Sequence, residues 1–267
     1  MQLASIGSGS KGNGTLLRTE GACVLIDCGF SLKETERRLA GRGLQGSDID
    51  AILVTHEHGD HIGGVGALSR RYSIPVYMSH GTRVSGRCED VYKRICFDAG
   101  DSFRIHDVEV KSVLVPHDAR QPCQYVLESQ GVRVGILTDL GTITPHVADA
   151  YRECHHLVLE FNHDLDLLRS GPYPKSLKQR VGGDLGHLNN RQAAALLREI
   201  NHSGLISVLI AHMSEQNNTQ ACIEAALNED LGQAFNKHYY MSQDEGYDWV
   251  KLSEMFGSEP SQLAADV

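Results

Sequence analysis

Four side chains that can bind a metal ion lie within one short stretch, His56-Glu57-His58-Gly59-Asp60-His61. Apolar residues 51–55 precede it and predict a buried strand, and residues 65–72 predict a short helix after it. Two imidazoles two positions apart at a strand end can bind one divalent ion from the same side. The Asp-His pair can reach a second ion about 3.5–4 Å away, the spacing of two-metal hydrolytic sites. A His-rich surface loop without a ligand is the alternative, but so many ligand types behind a buried strand favour a metal site.

Further residues of the metal-binding types stand at the ends of other predicted strands. Taken singly, a strand-end histidine is more often solvated or hydrogen-bonded, and a strand-end aspartate more often caps the next helix. Both interpretations stay open for each residue on its own. His163 lies in the polar segment that follows Glu160, and we expect both to support the site rather than to bind metal. The strands and their terminal residues are 22–26 with Asp27, 108–115 with His117, 132–137 with Asp139, 155–159 with Glu160, and 205–210 with His212.

The composition is that of a globular protein with a large core, since 41% of the 267 residues are hydrophobic and 22% are charged. The longest apolar runs are strand-sized, and residues 1–5 lack the basic start of a secretory signal, so we expect neither a membrane span nor a leader. Seven cysteines are an odd number and form no CxxC pair. This pattern argues against a complete disulfide framework and favours reduced thiols in a cytoplasm.

Charge is unevenly distributed along the chain. The net charge of −9 argues against a sequence-independent nucleic-acid coat, which needs a basic face. It does not exclude a nuclease, because bound cations themselves neutralise a phosphate substrate. The most basic stretch, residues 165–180, contains Lys175, Lys178 and Arg180. It predicts either a solvated helical face or a track for the phosphates of a substrate.

The opening of the chain predicts two short strands, residues 2–6 and 15–18, around a Gly/Ser loop. Glycines let the backbone present N–H groups to an anion. A phosphate-facing loop and an ordinary flexible hairpin both fit this composition. If the loop faces phosphate, the additional donors are Ser8, Ser10, Lys11 and Asn13.

A helix is predicted to end at Ile200, with Asn189 or Asn190 as its N-cap. His187 stands just before this helix, near its partial positive end.

The H-x-H-x-D-H stretch after an apolar strand resembles the signature of the metallo-β-lactamase-fold hydrolases. The resemblance extends over roughly residues 2–252 and implies an α/β fold, a four-layer αββα sandwich of two mixed sheets with helices outside. It implies one domain over residues 1–267, with a frayed tail from about residue 253. It also implies that Asp27 orients the metal-bearing loop through hydrogen bonds, without binding metal.

The same resemblance implies two divalent metal ions and a complete set of ligands. Zn, Mn and Fe suit mixed histidine and carboxylate ligands alike. A hydroxide shared by the two ions would be the nucleophile, oriented by Asp60. The implied ligands are His56, His58 and His117 for the first ion, Asp60, His61 and His212 for the second, and Asp139 as the bridge.

Residues 186–194 are similar to a segment of the phosphodiesterase branches of this fold, including ribonuclease Z, in which a histidine protonates the leaving oxygen. His187 takes that position here. The motifs Ser-Gly-Ser-x-Gly-Asn, Glu-x-Asn-His-Asp, Gly-His-Leu-x-Asn and Ala-His-x-Ser-Glu-x-Asn-Asn resemble the WalJ/YycJ-type group, described as 5′-to-3′ double-stranded DNA exonucleases. The opening loop departs from that pattern, because Lys11 stands where a small residue is expected.

The sequence therefore predicts a metal-dependent exonuclease acting on double-stranded DNA ends. One alternative is a hydrolase of small or cyclic phosphodiesters. Another is a hydrolase of thioesters, lactones or lactams, which would need neither the basic stretch nor His187. A non-catalytic metal-binding regulator is the last. By analogy with other proteins of this fold, we expect a homodimer.

Overall fold

The computed structural model describes residues 1–233 and 235–252. Its strands form two mixed sheets of seven strands each. In chain order the strands are β1 (Gln2–Gly7), β2 (Gly14–Arg18), β3 (Cys23–Ile26), β4 (Ala51–Leu53), β5 (Pro75–Ser79), β6 (Lys93–Phe97), β7 (Ser102–Ile105), β8 (Val108–Leu114), β9 (Cys123–Ser129), β10 (Val132–Leu137), β11 (His156–Glu160), β12 (Ser207–Ala211), β13 (His238–Tyr240) and β14 (Tyr247–Lys251). The helices are α1 (Leu32–Ala40), α2 (Gly59–Ile62), α3 (Val65–Tyr72), α4 (His80–Val84), α5 (Pro145–Tyr151), α6 (Leu165–Ser170), α7 (Lys175–Val181), α8 (Asn190–Ile200) and α9 (Gln220–Leu231), and a 3₁₀ turn covers Gly46–Asp48.

The two sheets are built on the same plan. The first has the order β14-β1-β2-β3-β4-β5-β6, and the second has the order β13-β12-β11-β10-β9-β8-β7. Pairing is antiparallel from β14 to β3 and from β7 to β10. It is parallel from β3 to β6 and from β10 to β13. Because parallel neighbours end at the same edge of a sheet, the residues after β3 and β4 are neighbours, and so are those after β10, β11 and β12.

Three apolar clusters separate the layers. The cluster between the sheets contains side chains from both, including Leu53 of β4 and Leu209 of β12. The outer face of the first sheet packs against helices, with Leu39 of α1 in that cluster. The outer face of the second sheet packs against Leu197 of α8 and Ile223 of α9. Helix, sheet, sheet and helix are thus stacked in four layers, which confirms the predicted αββα sandwich.

The start of α8 is determined by a reciprocal pair of hydrogen bonds. The Asn189 side chain accepts from the backbone N–H of Gln192, and the Gln192 side chain accepts from that of Asn189, both at 3.0 Å. This capping box satisfies two donors that a helix start leaves without partners. The helix predicted to end at Ile200 is confirmed, and His187 stands two residues before its cap residue.

Some local predictions differ from the structure. Helix α4 is short and ends at Val84, and Gly86 just beyond it adopts a positive φ of 73°. The basic stretch 165–180 forms α6 and α7 rather than one helical face, because Pro172 and Pro174 interrupt the helix. Strand β6 and helix α5 were not anticipated. Strand β6 opens with charged Lys93 and lies at a sheet edge, where alternation is weak.

The predicted frayed tail lies outside the described residues, and the assignment of residues 1–267 to one domain stays a prediction. No helix within residues 1–233 and 235–252 combines the length and apolar character needed to cross a bilayer. All seven cysteines are unpaired thiols.

Candidate metal centre

Three strand-end residues adopt the left-handed backbone conformation, which is uncommon outside glycine. Their φ angles are 62° for Asp27, 55° for Asp139 and 51° for His212. Such a conformation costs about 1–3 kcal/mol and persists only where the surroundings hold it. Each of the three backbone N–H groups donates a hydrogen bond. The acceptors are Leu53 O at 2.8 Å for Asp27, Glu160 Oε2 at 3.0 Å for Asp139, and Ser8 Oγ at 2.8 Å for His212.

Three imidazoles converge on one point between the sheets. His56 Nε2 and His117 Nε2 lie 3.0 and 3.2 Å from His58 Nδ1. The first two histidines of the motif come from the loop after β4 of the first sheet, and His117 follows β8 of the second. Three imidazole nitrogens this close together could hold one divalent ion.

A second group of ligand-type atoms lies beside the first. His61 Nε2 and His212 Nε2 lie 3.4 and 3.6 Å from Asp60 Oδ2. Asp139 is between the two groups, with Oδ2 3.3 Å from His61 Nε2 and Oδ1 3.5 Å from His212 Nε2. Asp139 also clusters with His56 and His61, so its carboxylate is within reach of both groups.

Asp27 determines which ring nitrogens of two histidines face the site. A carboxylate only accepts hydrogen bonds, so His61 Nδ1–H donates to Asp27 Oδ2 over 2.7 Å. The Thr55 hydroxyl donates to the same oxygen over 2.8 Å and therefore accepts from His56 Nδ1–H at 2.9 Å. In the neutral rings, the lone pair of His56 and of His61 is left on Nε2, the atom that faces the cluster.

Backbone carbonyls orient two more imidazoles. His117 Nδ1–H donates to Gly186 O over 2.9 Å, which leaves Nε2 toward the cluster. His58 Nε2–H donates to Asp118 O over 3.2 Å, which leaves Nδ1 as its free nitrogen. Metal-binding histidines are oriented in this way by partners on the other ring nitrogen.

The charges of the centre favour bound cations. Burial alone would raise the pKa of Asp139, but His212 and His61 outweigh it and hold that pKa well below its ordinary value. Burial alone would lower the pKa of His212, but Asp139 outweighs it and raises that pKa to about 9. Burial lowers the pKa of His56 and His117, which keeps both rings neutral and able to donate lone pairs.

The donor set fits divalent metal ions. Asp139 Oδ2 and His212 Nε2 are buried, and neither makes a hydrogen bond within the part of the chain that the structure describes. Buried polar atoms are normally satisfied. A divalent cation would accept a lone pair from each, and mixed imidazole and carboxylate donors suit Zn, Mn or Fe.

Glu160 and His187 form a pair at the edge of the ligand cluster. Glu160 is fully buried at the end of β11, and its Oε2 accepts from His187 Nδ1–H over 2.9 Å. Its other oxygen, Oε1, accepts from the Leu188 backbone N–H over 2.7 Å. The carboxylate fixes the imidazole orientation and leaves Nε2 as the nitrogen available to a substrate.

The ligand cluster opens into a cleft of about 430 Å³. His187 and four of the ligand-type residues line it, together with Ser10 and Arg180 from the predicted substrate-binding set. Lys175 and Lys178 lie on α7 and are not among the lining residues. Arg180 Nε donates to Asp118 Oδ2 over 2.5 Å, which ties α7 to the segment that carries His117.

Residues 23–213 match the model of the beta-lactamase superfamily domain, and this span includes every candidate ligand. The chain belongs to this superfamily. Two curated relatives extend the match beyond that span. Exodeoxyribonuclease YycJ of Bacillus anthracis is 33% identical over 250 residues, covering 89% of this chain and 94% of the relative. Exodeoxyribonuclease WalJ of Streptococcus pneumoniae (strain D39) is 34% identical over 237 residues, covering 86% of this chain and 87% of the relative.

The fold of this superfamily member has close structural counterparts. The metallo-β-lactamase fold protein YhfI from Bacillus subtilis superposes with a TM-score of 0.72 over 94% of this chain and 99% of its own. Sequence identity is 16%, so this comparison bears on the fold alone. The sequence relatives and the structural neighbour agree that the metallo-β-lactamase fold was correctly recognised.

Three residues of the opening loop contact protein groups. Ser8 is buried and accepts from the His212 backbone. Asn13 is also buried, and its amide donates to Gly9 O at 3.0 Å and lies 3.1 Å from His61 Nε2. Lys11 is exposed and pairs with Glu215 at 2.8 Å. These contacts hold the loop against the ligand cluster, and contact of the three with substrate stays a prediction.

Several residues that position the centre were missed from the sequence. Thr55 and Asp118 each adjoin a ligand-type histidine, and that adjacency was an available signal. Asn162 lies in the polar segment after β11, and its Nδ2 donates to His212 O over 3.0 Å. His163, predicted to support the site, is fully buried, and its Nδ1 lies 3.2 Å from Asn162 Oδ1. Burial lowers the pKa of His163 to about 4.

Proposed function

We propose that this chain is a metal-dependent phosphodiesterase and, more narrowly, a 5′-to-3′ exonuclease acting on double-stranded DNA. The observation that carries the proposal is the Glu160–His187 pair beside the ligand cluster, because it combines a proton donor with a two-metal arrangement. The relatives YycJ and WalJ are both named exodeoxyribonucleases, which supports the same class of substrate. Seven free thiols support a reducing, cytoplasmic location.

The proposed metal ligands follow the geometry of the two groups. His56, His58 and His117 would hold one ion. Asp60 and His61, with His212, would hold the other, and Asp139 would contact both. Divalent ions, when bound, acidify water and stabilise charge on phosphoryl oxygens.

The side chains of this protein would carry the proton transfers. Asp60 belongs to the ligand cluster and also lines the cleft, so its carboxylate can orient the attacking water. The water loses a proton to solvent, its oxygen bonds to phosphorus, and the P–O bond to the leaving nucleotide breaks. His187 acts as an imidazolium, protonated on both ring nitrogens: it gives its Nε2 proton to the departing oxygen and is left neutral, while Nδ1–H stays bonded to Glu160. General acid catalysis of this kind contributes about 10²- to 10⁴-fold.

Cations near the cleft would hold the substrate backbone. Arg180 lines the cleft, and Lys175 and Lys178 precede it on α7. We expect charge reversal at the two lysines to weaken DNA cleavage and to spare hydrolysis of a small phosphodiester. Equal loss on both substrates would contradict a DNA track along α7.

Hydrolysis of small or cyclic phosphodiesters is the second candidate function. The cleft volume of about 430 Å³ favours it, because that size is typical of small-ligand sites. Thioester, lactone and lactam hydrolysis has less support, because a Glu160–His187 proton donor has no evident use there.

The deciding experiment uses the metal-reconstituted protein and linear duplex DNA with either a 5′-phosphate or a 5′-hydroxyl. Stepwise shortening from the 5′ end, impaired in His187→Ala, is expected. His80→Ala is the matched control, because His80 is exposed and outside the cleft. Intact DNA alongside turnover of a small phosphodiester would favour the second candidate. Turnover of neither would overturn both.

A further inference from the structure

Two side chains that line the cleft have no part in the chemistry described above. Arg87 belongs to the loop between α4 and β6, and Tyr173 belongs to the connection between α6 and α7. They come from opposite halves of the chain, one from the connections of the first sheet and the other from those of the second. Neither was predicted from the sequence to contact substrate.

Arg87 is a cation without a protein partner. Its guanidinium makes no hydrogen bond or ion pair within residues 1–233 and 235–252, and the side chain is exposed. Arg180, the other arginine of the cleft, is neutralised by Asp118 at 2.5 Å. Arg87 therefore contributes to the cleft a positive charge that no carboxylate of the described residues neutralises. A planar guanidinium is well suited to bind a phosphate with two hydrogen bonds.

Tyr173 is held by an unusually restricted segment, Gly171-Pro172-Tyr173-Pro174. Proline fixes its own φ, and a residue before proline is confined to extended conformations. Gly171 packs closely against the loop after β12, since a Cβ there would lie 2.5 Å from Asn217 Oδ1. The half-buried aromatic ring is thus presented to the cleft by a backbone with little freedom, which lowers the entropic cost of binding.

The dimensions of the cleft limit what these two residues can bind. A volume of about 430 Å³ suits one nucleotide with its phosphate and is far too small for a duplex. Leu177 and Met213 also line the cleft, so it offers apolar surface in addition to the aromatic ring. An aromatic ring, apolar surface and one unpaired arginine together match the base and the phosphate of a single nucleotide.

We propose that Arg87 and Tyr173 form a subsite for the terminal nucleotide of the strand being cleaved. Tyr173 stacks on its base, and Arg87 binds a phosphate of the same strand. The subsite rests on the proposed nuclease function and explains how a small cleft takes a long substrate: the end of one strand enters, unpaired from its complement. The competing interpretation is that Tyr173 has only a structural role and does not contact the substrate.

The stacking contact is tested by binding to duplexes whose terminal linkages are phosphorothioates, which slow hydrolysis. One duplex has a natural 5′-terminal nucleotide, and the other has an abasic residue in that position. Tyr173→Ala should weaken binding of the natural end about 10- to 100-fold and leave the abasic end unchanged. Tyr173→Phe should restore binding. Tyr92→Ala is the matched control, since Tyr92 is 60% exposed and outside the cleft.

The phosphate contact is tested by the salt dependence of the same binding. Arg87→Gln should weaken binding and lower the slope of log Kd against log salt by about 1, as expected for the loss of one phosphate contact. Arg87→Lys should retain most of the slope. Arg83→Gln is the control, because Arg83 lies on the neighbouring helix and does not line the cleft.

The outcomes separate this subsite from the proposed function. Equal weakening of natural and abasic ends, or an unchanged salt slope in Arg87→Gln, would overturn the subsite while DNA cleavage by the unaltered protein stands. If the unaltered protein neither binds nor cleaves DNA, both proposals fail. A melting temperature of Tyr173→Ala equal to that of Tyr173→Phe would show that the affinity loss is not caused by unfolding.

Discussion

Glu160 Oε2 lies 2.9 Å from His187 Nδ1 and 3.0 Å from the backbone nitrogen of Asp139. One buried carboxylate oxygen therefore holds both the proposed proton donor and the residue proposed to contact both metal ions. The bond from the Asp139 backbone N–H to Glu160 Oε2 also helps to hold Asp139 in its left-handed conformation. Acid catalysis and ligand geometry are coupled through this atom.

The leaving group should reveal the role of His187. His187→Ala is expected to lower kcat on duplex DNA by about 10²- to 10⁴-fold, because an alkoxide leaves poorly without a proton. Hydrolysis of the p-nitrophenyl ester of thymidine 5′-phosphate should change little, since p-nitrophenolate leaves unprotonated. Single-turnover rates on both substrates provide the measurement. Equal losses would show that His187 serves binding or structure.

Glu160→Gln should reproduce part of that defect. The side-chain amide of glutamine has one oxygen that accepts and one NH₂ group that donates. It therefore cannot accept from all three donors that Glu160 binds, which are His187 Nδ1–H and the backbone N–H groups of Asp139 and Leu188. The losses in the Glu160→Gln/His187→Ala double variant should be less than additive, because both changes disturb the same proton donor. Additive losses in the rate on DNA would contradict this coupling.

Asp27→Asn should weaken metal binding without removing a ligand. The amide can no longer accept from both Thr55 and His61, so the His61 ring loses its fixed orientation. Loss of such a partner typically costs about 10- to 100-fold in metal affinity, measured by competition with a chelator. Asp107→Asn is the control. Asp107 also accepts hydrogen bonds from two hydroxyls, those of Thr19 and Ser129, but it lies in the turn between β7 and β8 and belongs to none of the ligand groups. Unchanged affinity in Asp27→Asn would contradict the orienting role.

Two glycines near the metal-binding motif should differ sharply in tolerance. A Cβ on Gly29 would lie 1.8 Å from Asp60 O, whereas a Cβ on Gly59 would meet nothing within 4 Å. Gly29→Ala must displace the backbone of the motif, so we expect a loss of more than about 2 kcal/mol in the free energy of unfolding. Gly59→Ala should stay within about 0.5 kcal/mol of the unaltered chain. Urea unfolding measures both, and similar losses would contradict the packing described.

His156 should make stability depend on pH independently of the metal centre. It is fully buried at the start of β11, and burial lowers its pKa from 6.5 to about 4. Between those values the unfolded chain binds a proton that the folded chain does not. Stability should therefore fall as pH drops from 6.5 to about 4, by about 3 kcal/mol in total. His156→Gln should remove this contribution, and exposed His146→Gln should not; unfolding with chelator present at several pH values is the measurement.

The fold was predictable through the resemblance of the H-x-H-x-D-H stretch to the metallo-β-lactamase-fold hydrolases. The ligand-type residues could be placed near one another because the ends of parallel strands meet at one edge of a sheet. His56, Asp139 and His212 each follow a largely apolar run, and the first polar residues after such a run mark where the strand ends. Helix α8 was predictable because its cap is local, with Asn189 and Gln192 three residues apart.

Other features depended on packing between distant parts of the chain. Whether Asn13 faces a phosphate or Asp60 cannot be read from a glycine-rich loop, because both environments use the same amide donors. Arg87 and Tyr173 are ordinary surface residue types, and only the folding of two distant connections brings them to one cleft. Strand β6 lies at an edge, and Lys93 and Arg94 obscure its alternation.

The ligand-type residues are divided between the two sheets, and this division has a mechanical consequence. The motif after β4 is carried by the first sheet, and His117, Asp139 and His212 are carried by the second. A bound ion would therefore link the two sheets. Removal of the ion should increase local opening at the strand ends that carry the ligands, while the rest of the sandwich stays closed. Amide hydrogen exchange should accelerate on chelation at residues 55–61 and 211–214 and stay unchanged in β1, β2 and β9.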